Sequence, residues 1–428
     1  MLDIKFVREH PDEVRAALGK RGEGATIAPV LALDRERRSL LKEVESLKSR
    51  RNAVSREIGE LKKKGQEAGE KQAAMREIGD RISGLDAQVR DAEARLETAL
   101  LAIPNLPHAS VPVGPDKFSN RLVRQVGEKR AFAFPPKGHV ELGETLGILD
   151  FARATRMIGP GFQVFVGPGA RLERALIQFM LDLHVGEHGY TEVSTPFLCN
   201  TASMTGTGQL PKMAEDMYRV ASEDAWLIPT AEVPVTNLYR EEIIERPLPI
   251  CLTAYSPCFR REAGAAGRET RGLIRVHQFD KVEIVKFVEP ETSYAELDTL
   301  VANAEDVVRR LGLTYRVLEL CTGDISFASA KCYDIELWAP GQDDWLEVSS
   351  CSNFEAFQAR RAGIRYRRKD GKIDFVHTLN GSGVALARLV VAILENGQQA
   401  DGSVALPEAI VPYMGGARRL ERPAGGAG

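Results

Sequence analysis

The sequence predicts an α+β protein: a mainly antiparallel sheet flanked by helices, with an N-terminal antiparallel two-helix coiled-coil arm. Three observations carry that expectation. Leu33, Leu40, Leu47, Val54 and Leu61 recur every seven residues, and Met75, Ile78, Ile82, Leu85, Val89, Ala92 and Leu96 follow at spacings of three and four, the pattern of one helix packed along another. Short β-rich runs at 313–320, 333–338 and 345–349 are spread between helical patterns over 294–311 and 384–396, which suits an antiparallel sheet rather than a doubly wound parallel one. Two extended runs, 248–261 and 273–285, flank the link EAGAAGRETRG with Gly264, Gly267 and Gly272, so they read as the arms of one long hairpin.

Taken in order, residues 1–103 form an N-terminal domain. A short apolar start (Leu2, Ile4, Phe6, Val7) leads into a small helix over 11–18, with Pro11 suited to its first turn. The arm occupies about 27–101. Val44 and Ile58 fill the second core position of their heptads, while Arg37 and Arg51 interrupt it, and residues 62–72 with Gly65 and Gly69 break the pattern where the chain should turn back. Helices of ~35 residues at ~1.5 Å each make an arm of ~50 Å. Residues 34–71 carry twelve Lys/Arg against eight Asp/Glu. Most charged helices are simply solvated, but a basic arm with Lys62, Lys63 and Lys64 near its tip has the reach and sign to follow an RNA backbone.

Residues 104–116, with Pro104, Pro107, Pro112 and Pro115, read as a linker. The main domain spans 117–414. Leu172, Ala175, Leu176, Phe179, Met180 and Leu183 mark an amphipathic helix ending near Gly189, and TEVSTPFL (191–198) follows as a strand; residues 226–235 are a further strand candidate. His184 and His188 lie one helical turn apart without a third ligand nearby, which favours an ordinary helix end over a metal site. The Gly-, Ala-, Arg- and Pro-rich residues 415–428 read as a loose tail.

The composition is that of a globular chain: 428 residues, 43% hydrophobic, 27% charged, formal charge −3, enough for a large core with an appendage. Near-neutral charge argues against indiscriminate nucleic-acid binding and leaves room for a local basic stripe. Cys199, Cys251, Cys258, Cys321, Cys332 and Cys351 show no CxxC spacing, so neither a zinc ribbon nor a disulfide framework is indicated. No apolar run approaches the ~20 residues that span a bilayer, and the acidic start MLDIKFVREHPDEV lacks a signal core. A cytoplasmic protein without a membrane partner is expected.

The chemistry concentrates on the second arm of the hairpin. If it is a strand from Leu273, then Ile274, Val276, Val282 and Ile284 point one way, and Arg275, His277, Phe279, Lys281 and Glu283 the other. One aromatic flanked by charges of both signs suits a bound ligand as well as a solvated face. There is no GxxxxGK[ST] loop and no GxGxxG after a strand, so a nucleotide would be held by side chains.

FRREAGAAGRETRGLIRVHQFDKVE resembles the second signature motif of class II aminoacyl-tRNA synthetases, in the form seen in seryl-tRNA synthetases. TLNGSGVALARLVVAILEN (378–396) resembles the third motif, TAEVPVTN (230–237) the serine-binding segment, and helix 172–189 with Pro196 the first motif, at the dimer interface. With the arm, the likeness covers essentially the whole chain. It implies an ATP site of Arg260, Arg261, Glu262, Arg275, Val276, His277, Gln278, Phe279, Glu347, Val348, Ser349, Ser350 and Arg388. Within it Arg260 meets the α-phosphate, Glu262 accepts from the adenine amino group, Phe279 and Arg388 cover opposite faces of the adenine, and Arg275 reaches the outer phosphates. In WLEVSSCSNF, Glu347 and Ser350 offer hard oxygen ligands to Mg²⁺. Thr230, Ala231 and Glu232 match the positions that hold the serine amino group, and Glu283 and Ser382 those that recognise its hydroxyl.

The implied reaction is ATP-dependent formation of seryl-adenylate followed by transfer to serine tRNA, with selenocysteine tRNA as a further acceptor. Arg260, Arg388 and Glu347 are the catalytic candidates, Mg²⁺ assists, and the active protein is a homodimer. Lys62, Lys63 and Lys64 on the arm and Arg268 and Arg271 on the hairpin loop are the tRNA candidates. Two other functions remain in play. An amino acid ligase charging a carrier protein shares the catalytic fold, but its members lack a long arm. A catalytically dead coiled-coil interaction protein is expected to have lost some of Arg260, Glu262, Phe279, Glu347 and Arg388, and all are present here.

Overall fold

The computed structural model describes residues 1–22, 26–263 and 272–422. The chain divides into two compact units, Met1–Gly19 with Glu23–Pro104 and Lys20–Gly22 with Asn105–Gly428. In the first, short helices Ile4–Glu9 and Pro11–Gly19 precede a helical hairpin of α1 (Ala28–Lys63) and α2 (Gly69–Leu101). The heptad seam closes as its spacing requires: Val44 packs with Leu85 and Val89, flanked by Leu40 and Leu47. Arg37 is accommodated at a core position because its Nε donates to Glu93 Oε1 across the hairpin at 3.0 Å, and Lys48 faces Asp86 further along at 3.8 Å. Exposed pairs of this kind contribute ~0–1 kcal/mol, so burial of the apolar seam carries the hairpin and the charges align it. The turn is shorter than 62–72. Gly65, at φ 69°, reverses the chain, while Gly69 already begins α2.

The second unit is built on an eight-stranded sheet. Its strands are β1 (Arg121–Val126), β2 (Thr191–Glu192), β3 (Ile250–Phe259), β4 (Gln278–Val288), β5 (Tyr315–Glu319), β6 (Lys331–Ala339), β7 (Asp344–Asn353) and β8 (His377–Ala385). Their order is β1-β5-β6-β7-β8-β4-β3-β2, antiparallel throughout except for the edge pair β2 and β3. Three helices, α3 (Pro168–Gly186), α4 (Ser293–Arg310) and α5 (Leu386–Gly397), bury their apolar stripes with Val282 and Ile284 of β4 in the main core. Val285 and Phe287 instead join a smaller core with Ala231, Val235, Ala359 and Ala362. Both faces of the central strands are therefore covered, and the antiparallel α+β expectation holds.

Several expected boundaries shift for identifiable reasons. Residues 273–277 are not strand: Leu273 N donates to the buried His139 Nε2 at 3.0 Å and His277 N to Gly161 O at 2.8 Å, so the ladder cannot form before Gln278. TEVSTPFL is strand only at Thr191–Glu192 and, in a separate small sheet, Leu198–Cys199. The candidate at 226–235 divides into a strand, Ala225–Leu227, and a helical turn, Glu232–Thr236. The last helix begins at Leu386 because β8 runs on to Ala385. Residues 104–116 form no regular element, yet Asn105 is buried and its amide donates to Ala328 O and Phe354 O, each at 2.9 Å. Of the expected tail, Arg419–Leu420 is a strand paired with Val404–Ala405, and Leu420 is buried; residues 423–428 lie outside the described residues. Among the described residues no helix is long and apolar enough to cross a membrane.

Candidate active site

The hairpin of β3 and β4 is tied down at its base on both limbs. Leaving β3, Arg261 N donates to Asp216 O at 2.8 Å and Ala263 N to the Asp216 carboxylate at 2.9 Å. On the returning limb, His139 is fixed by Glu395 of α5, whose Oε1 is 3.0 Å from Nδ1, leaving Nε2 to accept from Leu273 N. Arg268 and Arg271 of the connecting loop lie outside the described residues. Beside this base is a cavity of about 580 Å³, the size of a small-molecule site.

Arg260, Glu262, Arg275, Val276 and Phe279 of the hairpin line the cavity, with Glu347, Val348 and Ser350 of β7 and Arg388 from the first turn of α5. The Arg260 guanidinium is 5.2 Å from the Phe279 ring centre, and its Nε donates to Pro229 O at 3.3 Å. Arg275 and Glu262 form an ion pair, with Glu262 held at φ 51°. Arg388 is braced by two carbonyls, Ile274 O at 3.0 Å and Glu347 O at 2.8 Å, while the Glu347 carboxylate stands 3.7 Å away. Two braced arginines, an aromatic ring and a carboxylate can hold a phosphorylated aromatic ligand.

The other lining group is a buried polar cluster. Glu283 of β4 stands directly opposite Ser382 of β8 in the ladder. Glu283 Oε2 accepts from Thr230 Oγ1 at 2.8 Å and is ion-paired with Lys281, whose ammonium also donates to Thr230 Oγ1 at 2.8 Å. Asn380 Nδ2 donates to Glu283 Oε1 at 3.3 Å. Nearby, Glu232 takes a 2.6 Å bond from Gln358 and a 3.5 Å contact from Gln209. Burial, helped by the charge of Glu283, pushes its carboxyl up to about 7. Carboxylates confined this way suit a small ligand carrying an ammonium and a hydroxyl.

Two family models match the chain: the seryl-tRNA synthetase N-terminal domain over residues 1–107, and the tRNA synthetase class II core domain (G, H, P, S and T) over residues 218–397. The serine–tRNA ligase of Geobacter sulfurreducens is 56% identical over 98% of this chain and 100% of its own length. The chain belongs to the seryl-tRNA synthetase family. The structure of the Pyrococcus horikoshii seryl-tRNA synthetase complexed with ATP superposes with a TM-score of 0.93 at 40% identity, covering 99% of this chain and 100% of that one. That of the cytoplasmic serine–tRNA ligase of Naegleria fowleri in complex with AMP gives 0.87 at 30%, covering 99% of each.

Not every expected position of the seryl-tRNA synthetase motifs reaches the cavity. Ala231 is buried in the smaller core, Ser349 is buried with its Oγ on Ser382 O at 2.6 Å, and the His277 ring turns back to Arg260 O at 3.0 Å. Arg261 and Gln278 are exposed and do not line it. Lys62 and Lys63 end α1 and Lys64 caps it, all exposed at the tip of the arm unit. Sequence reasoning placed Lys281 on the ligand-facing side of the strand without giving it a role, and it missed Asn380, although each lies two residues from an expected ligand, the spacing that puts strand neighbours on one face. Gln209 and Gln358 gave no such signal, because only the fold brings them to Glu232. Ser382 is aimed by a bulge between Ser382 and Val384, where Val384 adopts φ 143°, a conformation costing a β-branched residue about 1–3 kcal/mol.

Proposed function

We propose that the cavity binds ATP and L-serine, forms seryl-adenylate, and passes the seryl group to serine tRNA held by the arm. The observation that carries this is the arrangement of Glu283 opposite Ser382 in a cavity that also holds Arg260, Phe279 and Arg388. Phe279 and Arg388 take the two faces of the adenine, Glu262 accepts from its amino group once released from Arg275, and Arg275 turns to the outer phosphates. Glu232 pairs with the serine ammonium. The Thr230 hydroxyl is fully engaged within the protein, so as a serine ligand Thr230 offers its carbonyl.

The serine carboxylate, ionised at neutral pH with an α-carboxyl pKa of ~3.5, needs no general base. One of its oxygens bonds to the α-phosphorus as the bond to the pyrophosphate oxygen breaks. Arg260 meets the charge that develops on the α-phosphate, and the confined cavity sets the line of attack. In the second step the terminal ribose hydroxyl of the tRNA takes the seryl group and AMP leaves.

For Mg²⁺ the residues present fit: Glu347 and Ser350 are hard oxygen donors in the cavity wall. Glu347 and Ser350 would hold the ion, which supplies charge neutralisation on the ATP phosphates. A homodimer belongs to the same reading, supported by exposed Val185 on α3 and exposed Phe197 and Leu198 in the segment resembling the first motif. Lys62, Lys63 and Lys64, with Arg268 and Arg271, meet the tRNA backbone, and selenocysteine tRNA is a second acceptor to be tried in the charging assay.

ATP–pyrophosphate exchange with each of the twenty amino acids tests the reading. Serine should support exchange far above the rest, and Arg260→Ala should lower it ~10²-fold or more, the scale of a lost transition-state contact. Exchange driven by another amino acid, or near-normal exchange in a folded Arg260→Ala protein, contradicts it.

A further inference from the structure

One buried cation in the cavity wall has no part in the roles above. Lys281 lies on β4 between Phe279 and Glu283, on the same face as both, and is 5% exposed. Its ammonium donates to Thr230 Oγ1 and is ion-paired with Glu283 Oε2. Thr230 Oγ1 gives its proton to that same Oε2 and accepts a second bond from Glu232 N at 3.2 Å. A hydroxyl has one proton to donate and two lone pairs, so Thr230 is saturated. Oε2 of Glu283 is taken by two donors, and spare accepting capacity remains on Oε1, which among the described residues has only the 3.3 Å bond from Asn380.

We infer that Lys281 is a specificity-determining positioning residue: with Thr230 it occupies Oε2 of Glu283 and supplies its counter-charge, so that Oε1 alone is offered to the hydroxyl of serine. The inference rests on the serine-activating function proposed above. A carboxylate buried without a counter-charge is held at high cost, and it is relieved by taking up a proton or by turning toward other donors. The first leaves only a weaker neutral acceptor and the second misplaces it, so either response narrows the difference between serine and alanine. The lysine thus acts through Glu283 and need not touch the substrate.

The test is pyrophosphate exchange by the full-length protein with serine and with alanine, comparing wild type, Lys281→Met, Glu283→Gln and the double variant. Lys281→Met should lower serine kcat/KM by ~10²-fold or more, chiefly through KM, while alanine kcat/KM changes less than ~3-fold, because only the hydroxyl loses its partner. In the Glu283→Gln background, where a neutral amide needs no counter-charge, Lys281→Met should add less than ~3-fold. That charge-balanced pair keeps the test decisive if the single variant fails to fold. Equal losses on both amino acids, a serine-to-alanine ratio within ~3-fold of wild type, or additive losses in the double variant overturn the inference. A wild-type protein without serine-dependent exchange overturns the proposed function and this inference together; a serine-active wild type with an unchanged ratio in Lys281→Met overturns this inference alone.

Discussion

At the scale of single residues, the end of the cavity proposed to take serine is governed by how few charges can be buried at once. Glu232 faces Glu283, Lys281, Arg260 and the amides of Gln358 and Gln209, and burial together with Glu283 moves its carboxyl up to about 7. A protonated Glu232 cannot pair with an ammonium, so serine kcat/KM in the exchange reaction should rise with pH through about 7 and level off above it. The folded carboxyl holds its proton at pH values where the unfolded one, near ~4.5, has lost it, so its contribution to stability is present at low pH and declines as pH rises through about 7. Glu232→Gln should remove the step near 7 from the serine profile; a variant that keeps it places the titrating group elsewhere. Glu232 and Glu283 were legible in the sequence through the motifs they match. Lys281 was visible on the same strand face, but its role depends on which oxygen of Glu283 it covers, and only the folded side chains reveal that.

At the scale of elements, the strand that carries Ser382 is shaped by a helix on its far side. His184 and His188 of α3 are bonded to one another, and His188 to Asp306. Asp306 can only accept, so His188 donates through Nε2 at 3.1 Å, and its Nδ1 accepts from His184 Nδ1 at 2.9 Å. Burial holds His184 down at about 3, hence neutral, with its Nε2 against Gly383 of β8, where an added Cβ would lie 2.5 Å away. Gly383→Ala should therefore lower the thermal midpoint by an amount equivalent to ~1–3 kcal/mol and raise the serine KM as Ser382 shifts, and adding His184→Ala should recover part of the stability. An unchanged midpoint and KM in Gly383→Ala would show that β8 has slack there. No pattern in the sequence hints at this contact, since 184 and 383 are joined only by packing. Periodicity did locate the long helices and most sheet strands, because repeated burial of one face leaves a repeating signal. It misplaced 273–277, where Leu273 and Val276 are buried at a spacing of three, out of step with a strand, and where backbone bonds go to His139 and Gly161. Within the expected tail, 415–428, it missed the strand Arg419–Leu420, where a single buried Leu420 is too short a pattern to register.

At the scale of the whole molecule, the chain divides into two compact units, and the proposed function gives adenylate formation to the sheet unit and tRNA binding to the helical hairpin. The heptads predicted the hairpin, and its internal pairing, Val44 against Leu85 and Val89 with Arg37 on Glu93, shows that it closes on itself. The measurement that tests the division most directly uses a protein lacking residues 44–85, with Glu43 and Asp86 joined by a short turn, assayed for serine-dependent pyrophosphate exchange and for charging of serine tRNA over a range of salt. Exchange should stay near wild type. Charging should fall steeply, and in the intact protein charging should weaken with salt more than exchange does, as expected when basic side chains hold phosphates. Charging of serine tRNA by the shortened protein with kcat/KM close to wild type would contradict the account.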